Sequence, residues 1–250
     1  MPPRILISND DGYDARGVSI LFDALDPIAE VWVVAPDSEQ SAASHSLTLR
    51  RPLAVKAVGP RRFRVSGTPT DCVVLALQVL LDPPPDLVVS GINHGGNLGE
   101  DVHYSGTVAA AFEGAILGVP GIALSALQSS VQDRATHAAI ARRVVEVVLD
   151  KKMGRNALLN VNIPDPSVGP VRGVRTTRLG SRVYENFIDR SGESSSAGYY
   201  TIGGKDPVWR ETEGADIAAV RRGFVSVTPL NLDMTDHDTL DSMERWRFAL

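Results

Sequence analysis

The sequence has a single cysteine, Cys72, in 250 residues. One cysteine excludes an intrachain disulfide framework and fits a reducing compartment. No apolar run reaches the roughly 20 residues that a helix needs to cross a bilayer. The first residues show no basic region followed by an apolar segment, so we expect no signal peptide. These absences predict a cytoplasmic protein with no membrane partner.

Positive charge and aromatic residues are also scarce. The formal net charge is −5, and aromatic residues make up 6% of the chain. Basic residues occur in short pairs rather than as a stripe, and the three tryptophans are scattered. Because nucleic-acid binding uses basic stripes and stacking platforms, we expect no nucleic-acid duplex as a partner. The apolar fraction of 43% suffices for the core of one α/β domain, with or without an appendage.

The first 34 residues follow a strand–helix–strand pattern. Residues 5–7 are a short branched apolar run, which favours a buried strand, and residues 18–25 have apolar side chains at helical spacing. Residues 30–34 form a second apolar run. Two parallel strands joined by a right-handed crossover are the expected geometry of such a unit. We therefore expect an α/β fold with a Rossmann-like, mostly parallel sheet and helices on both faces.

The same patterns divide the chain into a core, an extension and a tail. Within a core of residues 1–164, further strands are predicted at 47–58, 62–65, 86–90, 121–125 and 157–163, and helices at 71–81, 108–117 and 131–149. Residues 165–212 are richer in Arg, Gly and Ser, with alternating Thr and Tyr, which predicts a β-rich extension that serves as an oligomerisation arm. Residues 213–250 are predicted to return to the core, with a helix at 215–222, a strand at 224–228 and a helical tail at 236–248.

Three loops that follow predicted strands are unusually polar. They contain Asn9, Asp10 and Asp11, the stretch 39–46, and the stretch 93–97. If the sheet is parallel, all three meet at one edge, where ligands of open α/β sheets bind. Carboxylate, hydroxyl and amide oxygens without a cluster of His or Cys favour Mg²⁺, Mn²⁺ or Ca²⁺ over Zn²⁺ or copper. A divalent cation would also remove the repulsion between Asp10 and Asp11.

A glycine-rich stretch and a helix start indicate a phosphate site nearby. Glycines at 91, 95, 96 and 99 allow a backbone to approach a ligand closely, and Ser105 or Thr107 near a helix start would expose N–H groups to an anion. Metal together with phosphate indicates hydrolysis by a metal-activated water. Each of these residues also has an ordinary interpretation, because Asp and Asn are common in turns and Ser is a common helix cap.

Five short motifs lie between residues 4 and 125. They are Ile7-Ser8-Asn9-Asp10-Asp11-Gly12, Val34-Ala35-Pro36-Asp37 continuing through Ser41 to Thr48, Gly67-Thr68-Pro69-Thr70-Asp71-Cys72-Val73, Val89-Ser90-Gly91-Ile92-Asn93 with Asn97-Leu98-Gly99, and Tyr104-Ser105-Gly106-Thr107-Val108-Ala109-Ala110. In this order they resemble the signatures of the SurE family, the stationary-phase survival protein E group of metal-dependent nucleotidases. Each motif is weak alone, and the combination is highly specific. Residues from 165 onward resemble the family only loosely.

The resemblance implies a Rossmann-like core, a function and a set of site residues. The implied function is phosphate release from nucleoside 5′-monophosphates, with 3′-monophosphates as further candidates. The implied ligands of one divalent cation per subunit, Mg²⁺ or Mn²⁺, are Asp10, Asp11, Ser41 and Asn93. Asp10 or Asp11 would also orient or deprotonate the attacking water. The residues implied to face the phosphate are Asn97, Ser105, Gly106 and Thr107. Members of the family commonly form homodimers or homotetramers by exchanging C-terminal arms.

Two residues depart from the family pattern. Ala42 and Gly96 stand where the family usually has Gly and Pro. The second change could loosen the loop that positions Asn97, which keeps open an alternative function as a metal-dependent nucleotide-binding module with little hydrolysis. A nicotinamide-dependent oxidoreductase is disfavoured, because no Gly-x-Gly-x-x-Gly follows the first strand.

Overall fold

The computed structural model describes residues 1–127, 134–183, 188–193, 198–202, 208–210, 212–243 and 246. Its strands are β1 (Arg4–Ser8), β2 (Glu30–Pro36), β3 (Val55–Gly59), β4 (Arg62–Val65), β5 (Leu87–His94), β6 (Gly121–Ala126), β7 (Leu158–Ile163), β8 (Val174–Thr176), β9 (Ser181–Val183), β10 (Ile188–Glu193), β11 (Gly198–Ile202), β12 (Val208–Arg210) and β13 (Val225–Leu230). Its helices are α1 (Arg16–Leu25), α2 (Pro69–Leu75), α3 (Gly106–Ile116), α4 (Arg134–Lys151), α5 (Asp216–Arg221) and α6 (His237–Met243). No helix among the described residues has the length and apolar character of a membrane span.

Nine of the strands form one central sheet in the order β3-β4-β2-β1-β5-β6-β7-β13-β8. All strands from β4 to β7 in this order are parallel to one another. By contrast, β3 is antiparallel to β4, and β13 is antiparallel to β7. Helices α1 and α4 cover one face, and α2 and α3 cover the other. The predicted α/β fold, with a mostly parallel sheet and helices on both faces, is confirmed.

The apolar run of β1 is buried from both sides, as expected of a central parallel strand. Ile5 and Ile7 pack against α1 and α4, whereas Leu6 packs on the opposite face against α2. All three side chains are fully buried, and each contributes about 1.5–3 kcal/mol to stability. Because β1 lies between β2 and β5, the polar residues that follow it are fixed at the carboxyl edge of the sheet.

Two consecutive crossovers, β5–α3–β6 and β6–α4–β7, lie on opposite faces of the sheet. Both connections step in the same direction across the strand order, so they have opposite hands. The β5–α3–β6 crossover has the same hand as β1–α1–β2, because the two step in opposite directions and have their helices on opposite faces. Nearly all β–α–β units are right-handed, and we assign that hand to these two. The β6–α4–β7 crossover therefore has the rare left hand.

The strand predicted at 47–58 begins later than expected. Residues 47–54 are described by the structure and are not a strand, and β3 begins at Val55. Two backbone groups of this segment bond to side chains instead of to a neighbouring strand. Thr48 donates its N–H to Asp71 at 2.8 Å, and Ala54 donates to Ser66 at 2.9 Å. The prediction of a strand at 47–54 was wrong, and two of the N–H groups in this segment bond to the side chains of Asp71 and Ser66.

The strand predicted at 86–90 continues further than expected. β5 extends through Gly91 to His94, since Asn93 pairs with Ser125 and His94 with Ala126 of β6. Part of the predicted glycine-rich loop is therefore strand. The helix predicted at 71–81 is also divided, because α2 ends at Leu75 and a π-helical turn follows it.

Residues 165–212 contribute strands to three different sheets. β8 lies at the edge of the central sheet beside β13. β10 pairs with β11, and β12 pairs with β9, in separate two-stranded sheets. The segment is rich in strands, and the first of them belongs to the core sheet. Parts of two predicted helices, namely 131–133, 244–245 and 247–248, lie outside the described residues.

Candidate metal and phosphate site

Asp10 follows β1 and is buried, with 6% of its surface exposed. The Thr107 hydroxyl donates a hydrogen bond to Asp10 Oδ1. Burial raises the pKa of Asp10, and the hydrogen bond from Thr107 partly offsets this. Glycine at 106 permits the close approach, because a methyl group there would lie 2.8 Å from Asp10 Cβ. The start of α3 is thereby held against the first predicted metal ligand.

Asp11 is less buried than Asp10 and contacts the end of β5. Its Oδ2 accepts the His94 N–H at 3.2 Å. Burial, and then repulsion by Asp10, raise the pKa of Asp11. An adjacent cation would favour the ionised form of both carboxylates. The pair therefore has the electrostatic character of a cation site.

The loop after β2 is joined to this pair through its backbone. The Gln40 N–H donates to the Asp10 carbonyl at 2.7 Å. Ser41, the next residue, is exposed, and its hydroxyl donates to Glu39 Oε1 at 2.6 Å. A hydroxyl that donates its proton keeps lone pairs for a cation. The predicted ligand Ser41 thus lies in a loop that contacts Asp10, with its proton directed to Glu39.

The far end of the same loop is fastened to α3 and the turn before it. Ser44 donates its N–H to the Tyr104 carbonyl at 3.2 Å and its hydroxyl to the His103 carbonyl at 2.6 Å. His45 Nε2 lies 2.7 Å from Glu113 Oε2, which belongs to α3. The loop that carries Ser41 therefore connects the end of β2 with the helix that holds Asp10.

Asn93 is the fourth predicted metal ligand and lies near the end of β5. Its Nδ2 donates to the Gly95 carbonyl at 2.8 Å, which leaves Oδ1 to bind a cation. In the described part of the chain, no three His, Cys, Asp or Glu side chains group as a metal site. The available donors are two carboxylates with neutral oxygens. This set fits a hard cation such as Mg²⁺ or Mn²⁺.

The first turn of α3 carries the predicted phosphate-binding residues. Ser105 caps the helix, since its Oγ accepts the Val108 N–H at 3.1 Å. The backbone N–H groups of Gly106 and Thr107 act with the Thr107 hydroxyl to lower the pKa of Asp10. First-turn N–H groups have no partner within the helix and attract anions. In this structure the anion that these N–H groups bind is the Asp10 carboxylate, which lies beside the turn predicted to face the phosphate.

Asn97, predicted to face the phosphate, is buried and held by three side chains of the sheet. Asn162 of β7 accepts the Asn97 N–H at 2.8 Å and donates to its carbonyl at 2.9 Å. Asn160 donates to the same carbonyl at 2.7 Å, and Ser125 of β6 accepts from Asn97 Nδ2 at 2.8 Å. Sequence reasoning missed these three residues. The available signal was the Asn160-x-Asn162 spacing in an apolar run, which places both amides on one face of a strand.

The next residues of this loop are fastened to the C-terminal part of the chain. Asp216, at the start of α5, is fully buried and accepts the N–H groups of Gly99 at 2.9 Å and Gly180 at 2.8 Å. Burial raises the pKa of Asp216, while the donated N–H groups lower it. Glu100 accepts the Arg182 N–H at 2.7 Å. The loop that begins at Asn97 is thus joined to α5 and to the extension.

Comparison with known proteins gives consistent matches. The family model described as "Survival protein SurE" matches residues 5–186. A "5'-nucleotidase SurE" from Geobacter metallireducens is 44% identical over 247 residues, which cover 98% of both chains. One from Myxococcus xanthus is 49% identical over 248 residues, covering 98% of this chain and 94% of the relative. The crystal structure of the SurE protein from Aquifex aeolicus superposes with a TM-score of 0.86 and 39% identity, covering 97% of this chain and 98% of that chain.

Proposed function

The chain belongs to the SurE family of nucleotidases, and we propose that it releases phosphate from nucleoside 5′-monophosphates at the carboxyl edge of its sheet. Nucleoside 3′-monophosphates are a second candidate class. The observation that carries this placement is the contact between Asp10 and Thr107. It joins a pair of carboxylates suited to a cation with the turn of Ser105, Gly106 and Thr107 that is predicted to face the phosphate.

The proposed ligands of one divalent cation per subunit, Mg²⁺ or Mn²⁺, are Asp10, Asp11, Ser41 and Asn93. Support comes from the hardness of their oxygen atoms and from the repulsion between the adjacent carboxylates of Asp10 and Asp11, which a cation would relieve. A bound divalent ion supplies polarisation of a phosphoryl oxygen and a lowered pKa of bound water.

Protein side chains would position the attacking water and bind the phosphate. Asp10 is fixed by Thr107, whereas the less buried Asp11 has an oxygen not used by His94 and would orient the attacking water or accept its proton. The turn of Ser105, Gly106 and Thr107 and the side-chain amide of Asn97 would face the phosphate. Ser105 would hold that turn in place through its cap on Val108.

The extension is the proposed subunit contact of a homodimer or homotetramer. Strands β10 and β11 expose four large apolar or aromatic side chains, each between 58% and 70% accessible: Ile188, Tyr199, Tyr200 and Ile202. Grouped exposed apolar residues mark interaction surfaces. The double substitution Tyr199→Ser with Tyr200→Ser should therefore produce monomers in size-exclusion chromatography with light scattering. If the double variant has the same oligomeric state as the wild type, β10 and β11 do not form the subunit contact.

The direct test is phosphate release from a panel of 5′- and 3′-monophosphates with Mg²⁺, with Mn²⁺ and with a chelator. We expect metal-dependent release that the chelator stops and that Asp10→Asn and Asp11→Asn each abolish. Asp26→Asn, at an exposed carboxylate after α1, is the matched control. Full activity in both site variants would refute the assignment. Nucleotide binding without release would instead favour the binding module suggested by Gly96.

A further inference from the structure

We propose that Asn160 and Asn162 are positioning residues for the substrate phosphate and act through Asn97, an inference that rests on the proposed function. Asn162 engages both backbone polar groups of Asn97, as a neighbouring strand would, and Asn160 adds a second donor to the same carbonyl. The loop after β5 is thus fixed at one residue by side chains that are 63 and 65 positions away in the chain.

The setting of the two asparagines argues for positioning rather than packing. Val161 and Ile163 of the same strand enter the apolar core with α4, whereas Asn160 and Asn162 are fully buried on the opposite side. Burying an amide is unfavourable unless hydrogen bonds compensate. Asn160 Oδ1 is buried with no hydrogen-bond partner in the described part of the chain. Leucines would fill the same face without that cost, so the amides serve the position of Asn97.

The consequence for the substrate lies in the side-chain amide of Asn97. An Asn amide carries two N–H donors, and Ser125 accepts one of them at 2.8 Å. The second donor is then held in a fixed direction for a phosphate oxygen. A donor that is already oriented binds without reorganisation during the reaction. Asn160 and Asn162 fix the backbone of Asn97, and Ser125 fixes its rotamer.

The first test uses Asn162→Leu in the full-length chain. We expect the Kd of inorganic phosphate, measured by calorimetry with Mn²⁺ present, to rise about tenfold, as loss of an oriented bond to a charged group predicts. The KM for nucleotide should rise in parallel, while the Kd of Mn²⁺ measured without phosphate stays within about twofold, since Asn162 does not contact the metal ligands. Ser226→Ala is the matched control, because Ser226 is buried in β13 and lies opposite Asn162 of the neighbouring strand β7.

A double-mutant cycle separates positioning from general damage. In the Asn97→Ala background, Asn162→Leu should have no further effect on phosphate affinity, because its only route to the substrate is the Asn97 side chain. A further tenfold loss in that background would mean that Asn162 acts through the fold in general, and would overturn the proposal. Ser125→Ala gives an independent test that changes little volume, and it should raise the phosphate Kd without changing the Mn²⁺ Kd.

The proposal and the proposed function fail in different ways. If the wild-type protein neither releases nor binds phosphate, the proposed function is wrong. If the wild type is active while Asn162→Leu and Ser125→Ala both bind phosphate as the wild type does, only the positioning role is wrong.

Discussion

Two loops at the carboxyl edge of the sheet carry the predicted site residues, and they are held in different ways. The loop after β2 places Ser41 at an exposed position, where its hydroxyl bonds to Glu39 two residues away. The loop after β5 buries Asn97 and ties it to Ser125 and Asn162, which are 28 and 65 positions away. One site residue is thus held locally at the surface, and the other is held by the core.

The difference bears on the roles proposed for the two loops. Segments with few buried contacts open at lower free energy than segments tied into the core. We therefore expect the exposed Ser41 side chain, which lies between the anchored residues Gln40 and Ser44, to adjust when a cation binds, and Asn97 to keep its geometry throughout. Fixed geometry is most useful around the phosphate, where charge develops during hydrolysis.

The largest expected effect comes from removing the hydrogen bonds between Asp216 of α5 and the loop after β5. Asp216→Ala leaves the N–H groups of Gly99 and Gly180 buried without their acceptor. It should lower the free energy of unfolding by about 3 kcal/mol and raise the KM for nucleotide. Urea denaturation measures the first effect, with Asp238→Ala at an exposed site of α6 as the control. Wild-type stability would mean that the buried loop is held no more firmly than the exposed one.

The next effect tests the contact between Asp10, after β1, and the start of α3, which lies between the two loops in the proposed site. In Gly106→Ala the new methyl group would lie 2.8 Å from Asp10 Cβ, so the carboxylate and the start of α3 must move apart. Turnover should fall about 100-fold, as expected when a reacting group is displaced by about 1 Å. Gly154→Ala is the control, because nothing lies within 4 Å of a methyl group there. Retained turnover would show that Asp10 tolerates displacement.

A smaller effect is expected in the exposed loop. Ser41→Ala should raise the Kd of Mn²⁺ about tenfold. The free energy of unfolding in chelator should change by less than about 0.5 kcal/mol, because Ser41 is exposed. Ser38→Ala tests the neighbouring hydroxyl of the same loop. A larger loss of Mn²⁺ affinity in that variant would transfer the ligand role to Ser38.

The smallest effect concerns the stability of the metal-free protein. Burial raises the pKa of Asp10, so its ionised form destabilises the fold above that pKa. Asp10→Asn should therefore raise the free energy of unfolding at pH 7 in chelator, although it abolishes turnover. The gain should vanish as the pH falls through the raised pKa towards the unfolded value, because protonated Asp10 is as neutral as Asn. Urea denaturation at several pH values, with Asp26→Asn as the control, would show no such trend if Asp10 were not buried.

Local patterns sufficed to predict most of the core. Ile5, Leu6 and Ile7 predicted β1 because a central parallel strand is apolar on both faces. The end of that run then placed Asp10 and Asp11 at the ligand-binding edge. The motifs that resemble the SurE family indicated the function, and the comparisons confirm the family.

Contacts between distant residues could not be predicted in this way. The asparagines of β7 read as irregularities in an apolar strand, because their partner Asn97 lies in another loop. Thr107 could be placed at a helix start, but the sequence does not show that its hydroxyl bonds to Asp10. Residues 47–54 look like a strand, yet the N–H of Thr48 bonds to a side chain. In each case tertiary structure supplies a partner that local pattern does not contain.

The left-handed crossover between β6 and β7 determines which face of β7 is packed against α4. It carries α4 to the face that holds Val161 and Ile163, and so leaves the face that holds Asn160 and Asn162 uncovered by that helix. A crossover of the usual hand would lay α4 over the two amides, where the loop that begins at Asn97 now lies. The rare chain path is therefore a condition for two buried amides on this face of β7, and a redesign with the usual hand would place α4 where the loop that begins at Asn97 now lies.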